Sequence, residues 1–404
     1  MSEPTPHPLK TPIAARLLPR DLRATYDLVV AGGRVDEQTA CALFAHPDLN
    51  ALGTIANVVR ERLNGNVATY IRNLYVNYSN ICVLSCQFCA FGARRRDPHA
   101  FELSLEDIEA RVAAGLGKGI TEVHMVGGLH PSLGADWYLE LIARLRALDP
   151  HLFIKAFTAI EIRHLAHRIF KRSIAETLEM LRTAGLGALT GGGAEIFDAG
   201  VRDQICRGKE SAEEWLEVHR IWHGMGMRST ATMLFGHVET REQRVEHLRL
   251  LRGLQDETRG FTAFIPFAFV PETTEMAHIA PTTAADELRT LAVSRIYLDN
   301  FQHITAYWVS FGLPLAALSL NYGVDDLHGT IEEERIFHMA GAQTPLGQTQ
   351  TAFEKAIREA GRIPVPRDTW YRRLGSGADS REAVEGPGLA ALPELRAFSG
   401  AGLP

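Results

Sequence analysis

The sequence predicts an α/β fold: a closed (β/α)8 TIM-type barrel preceded by a helical layer and followed by further helices. Three observations predict it. From Asn73 onward, roughly 250 residues repeat one unit, in which an apolar stretch rich in Val, Ile, Phe or Thr leads through a polar or Gly-rich turn to an amphipathic helix. The unit recurs eight times. The polar turns also fall after the apolar stretches, as in Gly127-Gly128-Leu129-His130, Thr190-Gly191-Gly192-Gly193, Gly236-His237-Val238-Glu239 and Gly323-Val324-Asp325-Asp326, whereas turns before them, such as Gly185-Leu186, are short. An open doubly wound sheet is the alternative, but chemistry gathered on post-strand loops is the habit of barrels.

Residues 1–20 are Pro-rich at their start and read as a loose arm without the apolar core of a signal peptide. Residues 21–70 read as a helical layer. Ala40 and Leu43, then Leu52, Ile55, Val58, Val59 and Leu63, recur at helical spacing, with Asp48-Leu49-Asn50 between two helices and Asn66 to Tyr70 as the end of the layer. The barrel is assigned to 71–329. Its strands are expected at 73–77, 122–126, 153–157, 187–190, 228–235, 261–267, 304–308 and 317–322. Ser104 with Asp107, Ser173 with Glu176 and Ser211 with Glu214 each form a capping-box pattern, and Gly185 and Gly226 stand where helices should stop. A helical extension at 330–374, with helices from Thr330 to Ala340 and Thr351 to Ala360, precedes a Gly-, Pro-, Ala- and Ser-rich stretch at 375–404 expected to be disordered.

Composition narrows the function. Hydrophobic residues at 46% and charged residues at 22% describe an ordinary globular chain with a sizeable core. A net charge of −6 gives no basic field for nucleic acid. No apolar run is long enough for a membrane span. Five cysteines, odd in number and three of them clustered, argue against a disulfide framework and for a reducing cytoplasm.

The cluster is Cys82-Val83-Leu84-Ser85-Cys86-Gln87-Phe88-Cys89, a C-x3-C-x2-C spacing with an aromatic before the last cysteine. Thiolates at short spacing suit zinc or an iron–sulfur cluster. A zinc loop completed by a distant ligand such as His99, or three unrelated buried thiols, are the competing readings. Gly127 and Gly128 give a turn in which backbone can approach a ligand closely, with Leu129 following. Gly191-Gly192-Gly193-Ala194-Glu195 offers a flexible loop with an acid that either bonds ligand hydroxyls or serves the next helix dipole. Gly236 and Glu239 flank His237, which is more often a structural group than a ligand. Phe88 and Phe91 are apolar cover or plain core, and Arg94-Arg95-Arg96 reads as a solvated face. His130, Arg295, Trp308 and Asp326 lie on or near post-strand loops and are candidates for a second substrate; no residue is assigned a catalytic role.

Taken together, these motifs resemble those of radical S-adenosylmethionine (SAM) enzymes, and specifically their menaquinone and deazaflavin-cofactor branch. The carrying residues are the three cysteines, Val126-Gly-Gly-Leu-His-Pro131, Gly191-Gly-Gly-Ala-Glu-Ile196, Gly236-His-Val-Glu-Thr240 and Gln255-Asp-Glu-Thr258. Within the branch, Ile154-Lys-Ala-Phe-Thr-Ala-Ile-Glu161, Ala306-Tyr-Trp308 and His338-Met-Ala-Gly-Ala342 are most similar to the aminodeoxyfutalosine synthase family. Leu129 in place of an acid, Thr190 in place of a proline and Thr232 in place of a glycine depart from the pattern. The resemblance implies one [4Fe–4S] cluster on Cys82, Cys86 and Cys89, with SAM as cosubstrate at the open iron. It implies methionine and ribose or adenine contacts from Gly127, Gly128, Glu195, Gly236, Glu239 and Phe88. It implies a 5′-deoxyadenosyl radical added to 3-[(1-carboxyvinyl)oxy]benzoate, giving 6-amino-6-deoxyfutalosine with loss of carbon dioxide. An electron donor such as flavodoxin or ferredoxin would be the protein partner, with neither nucleic acid nor membrane. The rival assignments are the paralogous cyclic dehypoxanthine futalosine synthase and a non-enzymatic iron–sulfur or zinc sensor.

Overall fold

The structure, a computed structural model, describes residues 16–375. Three helices come first, Arg23–Val30, Glu37–Ala45 and Leu49–Asn64. The second and third begin where Asp36 and Asp48 accept first-turn amides from Thr39 (2.8 Å) and Ala51 (3.0 Å). The third buries Leu52, Ile55, Ala56 and Val59.

Seven parallel strands follow in consecutive spatial order: β2 (Asn73–Val76), β3 (Glu122–Met125), β4 (Phe153–Ala156), β5 (Ala188–Leu189), β6 (Arg228–Phe235), β7 (Phe261–Ala268) and β8 (His303–Ile304). A second parallel sheet joins β1 (Val67–Ile71) to β9 (Asp326–Gly329) on one side and β10 (Ile363–Arg367) on the other. The two sheets meet along a seam. The Ala306 amide donates to the Asp326 carbonyl (2.9 Å) on the β8 side, and the Tyr75 amide of β2 donates to the Ile331 carbonyl (2.9 Å) on the other. The sheet is therefore curled into a partial (β/α) barrel whose gap is spanned by residues 325–331.

Four expectations are corrected. Residues 317–322 are not the eighth strand: Leu313–Ser319 is a helix with a proline in its first turn, as its Ala and Leu content favours. The strand at that place is β9, whose Asp-Leu-His-Gly sequence carries polar groups into the interior, where the Asp326 carboxylate accepts from Arg367 (2.5 Å), Thr69 (2.7 Å) and Thr305 (2.9 Å). The expected strand at 304–308 ends early, because Trp308 opens the short helix Trp308–Phe311. The helix expected from Thr330 shrinks to Ile336–Ala340, since Ile331 and Glu332 are left-handed (φ 68° and 69°) and cannot continue a right-handed turn. Asn66 to Tyr70 is mostly β1, paired with the unforeseen β10.

The three capping boxes form as read, and Thr158–Glu161 and Thr240–Gln243 add two more. Of the arm at 1–20, residues 1–15 lie outside the described residues, and Leu18 is buried. Of the tail, 376–404 lie outside them. Among the described residues no helix is long and apolar enough to cross a membrane.

Candidate functional site

The loop after β2 is pinned from four directions. The Cys82 amide donates to the Ala93 carbonyl (2.9 Å), Val83 to Leu129 (3.1 Å) and Gln87 to Ile205 (2.8 Å), while the Gln87 carbonyl accepts from Glu275 (3.1 Å). Cys82, Cys86 and Cys89 thereby line one cavity of about 410 Å³ at the C-terminal ends of the strands. Arg94, Arg95 and Arg96 are exposed, as a solvated run should be, and Arg94 also donates to the Cys82 carbonyl (2.9 Å) and Ser85 hydroxyl (2.5 Å).

Two of the three sulfurs receive backbone donors. Backbone amides of Leu84 and Gly92 point at the sulfurs of Cys82 and Cys89, each at 3.4 Å. Burial pushes the Cys86 thiol up to about 12, and raises Cys89 as well. A bound metal reverses that preference, because ligation releases the thiol proton. Among the described residues no three His, Cys, Asp or Glu side chains converge tightly enough for a single metal ion. His99 is absent from the cavity wall; its carbonyl accepts from Asn80 (2.9 Å). Three thiols around one cavity, with amide donors on two sulfurs and no tight cluster of ligating side chains among the described residues, fit an iron–sulfur cubane better than closed zinc.

Gly127 and Gly128 both line the cavity, and their lack of side chains is forced by the cysteine loop. A Cβ on Gly127 would sit 2.4 Å from the Tyr78 ring, and one on Gly128 would sit 2.4 Å from the Ile81 carbonyl oxygen. The carboxylate missing from position 129 has a counterpart elsewhere. Glu161, buried at the start of the helix after β4, accepts the Gly127 amide (3.0 Å), the Tyr78 hydroxyl (2.8 Å) and the Thr158 amide (2.8 Å).

Glu195 also lines the cavity, in the left-handed region (φ 43°). Burial works against its ionised form, but the bonded Lys209 ammonium outweighs burial and holds its pKa below the ordinary carboxylate value. Lys209 in turn lies 5.4 Å from the centroid of the Phe88 ring, on the same wall. Arg202 secures the turn by donating to the carbonyls of Ala194 (2.6 Å) and Ile196 (3.1 Å).

Gly236 and Glu239 are not on the cavity wall. The Glu239 carboxylate is consumed locally by the amides of Gly236 (2.6 Å) and His237 (2.9 Å) and by Arg244 (2.8 Å). At this level of β6, Thr232 and Leu234 line the cavity instead. The four second-substrate candidates also miss it. His130 accepts the Leu133 amide (3.0 Å), Arg295 binds Asp325 (2.5 Å), the Trp308 indole donates to the Gly329 carbonyl (2.9 Å), and Asp326 holds Arg367.

The far end of the cavity is built from Tyr307, part of the Ala306-Tyr-Trp308 segment, and from four residues the sequence did not single out: Tyr75, His124, His328 and Glu334. The Tyr75 and His124 rings stack at 4.2 Å, and the Tyr75 hydroxyl shares a hydrogen bond with His328 Nε2 (3.2 Å). Burial drives both histidines well below their ordinary pKa, so they are neutral here. Tyr75 and His124 occupy adjacent register positions on β2 and β3, the one signal that could have placed them on a common face.

Comparison with known proteins shows the family. The radical SAM superfamily model matches residues 76–251, and the CofH/MqnC C-terminal region model matches 258–377. Aminodeoxyfutalosine synthase of Thermus thermophilus is 44% identical over 350 residues, covering 86% of this chain and 94% of that one. Cyclic dehypoxanthine futalosine synthase of Streptomyces coelicolor is 39% identical, covering 88% and 89%. The 5-amino-6-(D-ribitylamino)uracil–L-tyrosine 4-hydroxyphenyl transferase of Methanoculleus marisnigri is 37% identical, covering 89% and 99%. Among solved structures, methylornithine synthase superposes with a TM-score of 0.68 at 19% identity, covering 84% of this chain and 97% of that one, a likeness of fold. Membership of the superfamily implies a [4Fe–4S] cluster and SAM. Two matching models laid end to end, and relatives that align over nearly their whole length, establish that the chain belongs to the CofH/MqnC family of radical SAM enzymes.

Proposed function

We propose that this enzyme is an aminodeoxyfutalosine synthase, joining the 5′-deoxyadenosyl group of SAM to 3-[(1-carboxyvinyl)oxy]benzoate and releasing 6-amino-6-deoxyfutalosine and carbon dioxide, in menaquinone biosynthesis. The observation that supports the choice within the family is the 44% identity to the Thermus enzyme; the Streptomyces coelicolor synthase and cyclising enzyme stand at 38% and 39%, and the hydroxyphenyl-transferring relative at 37%. In this reading Cys82, Cys86 and Cys89 hold the cluster. When bound, the cluster supplies one electron to the SAM sulfonium and so generates the 5′-deoxyadenosyl radical.

The chain's own task is placement and exclusion. Gly127 and Gly128 bring bare backbone to the cavity beside the cysteine loop, where the methionine moiety would lie. Glu195, fixed by Lys209, presents a carboxylate to ribose hydroxyls, and Phe88 covers the same wall. Ile265, Phe267, Phe269, Ile336 and Phe337 supply apolar walls, which keep water and stray hydrogen donors from a reactive carbon radical. Holding alkene and adenosyl carbon in register supplies the rest. A one-electron donor such as flavodoxin or ferredoxin would be the protein partner.

Mass spectrometry of the products tests the assignment. Reduced holoenzyme with SAM and 3-[(1-carboxyvinyl)oxy]benzoate should give the adenosyl adduct with stoichiometric methionine. Free 5′-deoxyadenosine without an adduct would remove the synthase reading and favour the cyclising relative's type of chemistry.

A further inference from the structure

A dicarboxylate is an awkward guest for this cavity. Among the described residues only Arg94 and Lys209 bring a lysine or arginine to its wall, both at the cysteine end. Arg94 is occupied with the Cys82 carbonyl and Ser85, and Lys209 with Glu195. A buried carboxylate needs a cation or several donors, and beside the Glu334 carboxylate this end presents imidazoles and phenols.

One imidazole there is unlike the rest. Neither ring nitrogen of His124 has a hydrogen-bond partner among the described residues. Its Nδ1 is buried and unpartnered, 3.9 Å from Glu122 Oε1 beneath it. The carboxylate on that side favours the proton on Nδ1, which leaves Nε2 as the ring's edge toward the cavity it lines. Around it stand Tyr75 on β2, stacked on its face; Glu122 on its own strand, which accepts from Asn73 (3.1 Å); Lys155 at the adjacent register position of β4; His328 on β9; and Tyr307 after β8. Burial and Lys155 both disfavour a charge on the ring. His328 is bound to Tyr75 through Nε2, so it is less free to answer a ligand.

We propose that His124 binds a carboxylate of the second substrate and takes up one proton from solvent as it does so, forming a relay from Glu122 through the imidazolium to the ligand. The bound anion supplies the second negative neighbour that the empty cavity lacks, with Nδ1–H directed at Glu122 and Nε2–H at the substrate. The inference rests on the reading above that SAM's co-reactant is an aryl carboxylate, and it selects carboxylates over neutral isosteres of the same shape.

Calorimetry decides it. Oxidised holoenzyme loaded with SAM and given no reductant is titrated with 3-[(1-carboxyvinyl)oxy]benzoate, and separately with benzoate, in two buffers of different ionisation enthalpy. The expected result is about one proton taken up per molecule bound, with Kd weakening about tenfold per pH unit on the alkaline side, the slope of one linked proton. His124→Gln should bind at least about tenfold more weakly and show neither uptake nor slope. Binding without proton uptake in the unaltered enzyme overturns the relay. Uptake that survives in His124→Gln overturns it too, as does failure of both carboxylates to bind. Proton-linked binding with no adduct on reduction would leave the relay standing and remove the synthase assignment; adduct formation without uptake would do the reverse.

Discussion

The Glu161 carboxylate accepts the backbone amide of Gly127 at 3.0 Å, tying the loop after β3 to the helix after β4. The same carboxylate takes the Tyr78 hydroxyl and the Thr158 amide, so one buried side chain fixes the backbone on which the SAM methionine is expected to rest. Glu161→Ala strands those donors without an acceptor, each at roughly 1–3 kcal/mol. Chemical denaturation should show a loss of at least about 3 kcal/mol, with Glu161→Gln losing less because it keeps one acceptor oxygen. A change under about 0.5 kcal/mol would contradict this account of the loop.

Gly128→Ala should disturb the cysteine loop without unfolding the barrel. Its Cβ would meet the Ile81 carbonyl oxygen at 2.4 Å, one residue before Cys82. Iron and sulfide per chain after anaerobic reconstitution should fall several-fold while the far-ultraviolet circular dichroism stays unchanged.

The buried Lys209–Glu195 pair should behave as a unit. Removing the cation alone leaves an uncompensated buried carboxylate, so Lys209→Met should cost about 3–5 kcal/mol, while Lys209→Met with Glu195→Leu should recover much of it. A double-mutant cycle by urea denaturation reads the coupling. Because the Glu195 pKa is lowered in the fold, its contribution is present above its unfolded value and fades as pH falls through the folded one.

His338 gives the opposite sign. A hydrogen bond with Glu334 (2.9 Å) raises its pKa above the ordinary 6.5, and Glu334 lines the cavity while accepting the first amides of the helix Ile336–Ala340. Its contribution is complete below the unfolded pKa and is lost as pH rises through the folded one. Hydrogen-exchange protection across 334–341, taken relative to the intrinsic base-catalysed rate, should therefore fall on the alkaline side of neutrality, and His338→Asn should abolish that fall.

Legibility in the sequence followed where each residue finds its partners. The cysteine loop was readable because its three thiols fall within eight residues, and β6 because an apolar run of strand length is hard to read otherwise. The strand β9 was not, because Asp326 and His328 point into a polar interior and meet Arg367 and Tyr75, residues far away in the chain. The helix Leu313–Ser319 passed for a strand because a short apolar run has no distinguishing period. Gly236 and Glu239 matched a motif yet bond one another's loop, while Tyr75 and His124, which line the cavity, sit in strands where nothing local marks them.

The central claim is that three thiolates leave one iron free for SAM, and electron paramagnetic resonance of the reduced protein tests it most directly. The account predicts a [4Fe–4S]⁺ signal whose g-values shift when SAM is added, and no cluster when Cys82, Cys86 and Cys89 are all replaced by serine. A signal indifferent to SAM, or a cluster that survives those replacements, would contradict it.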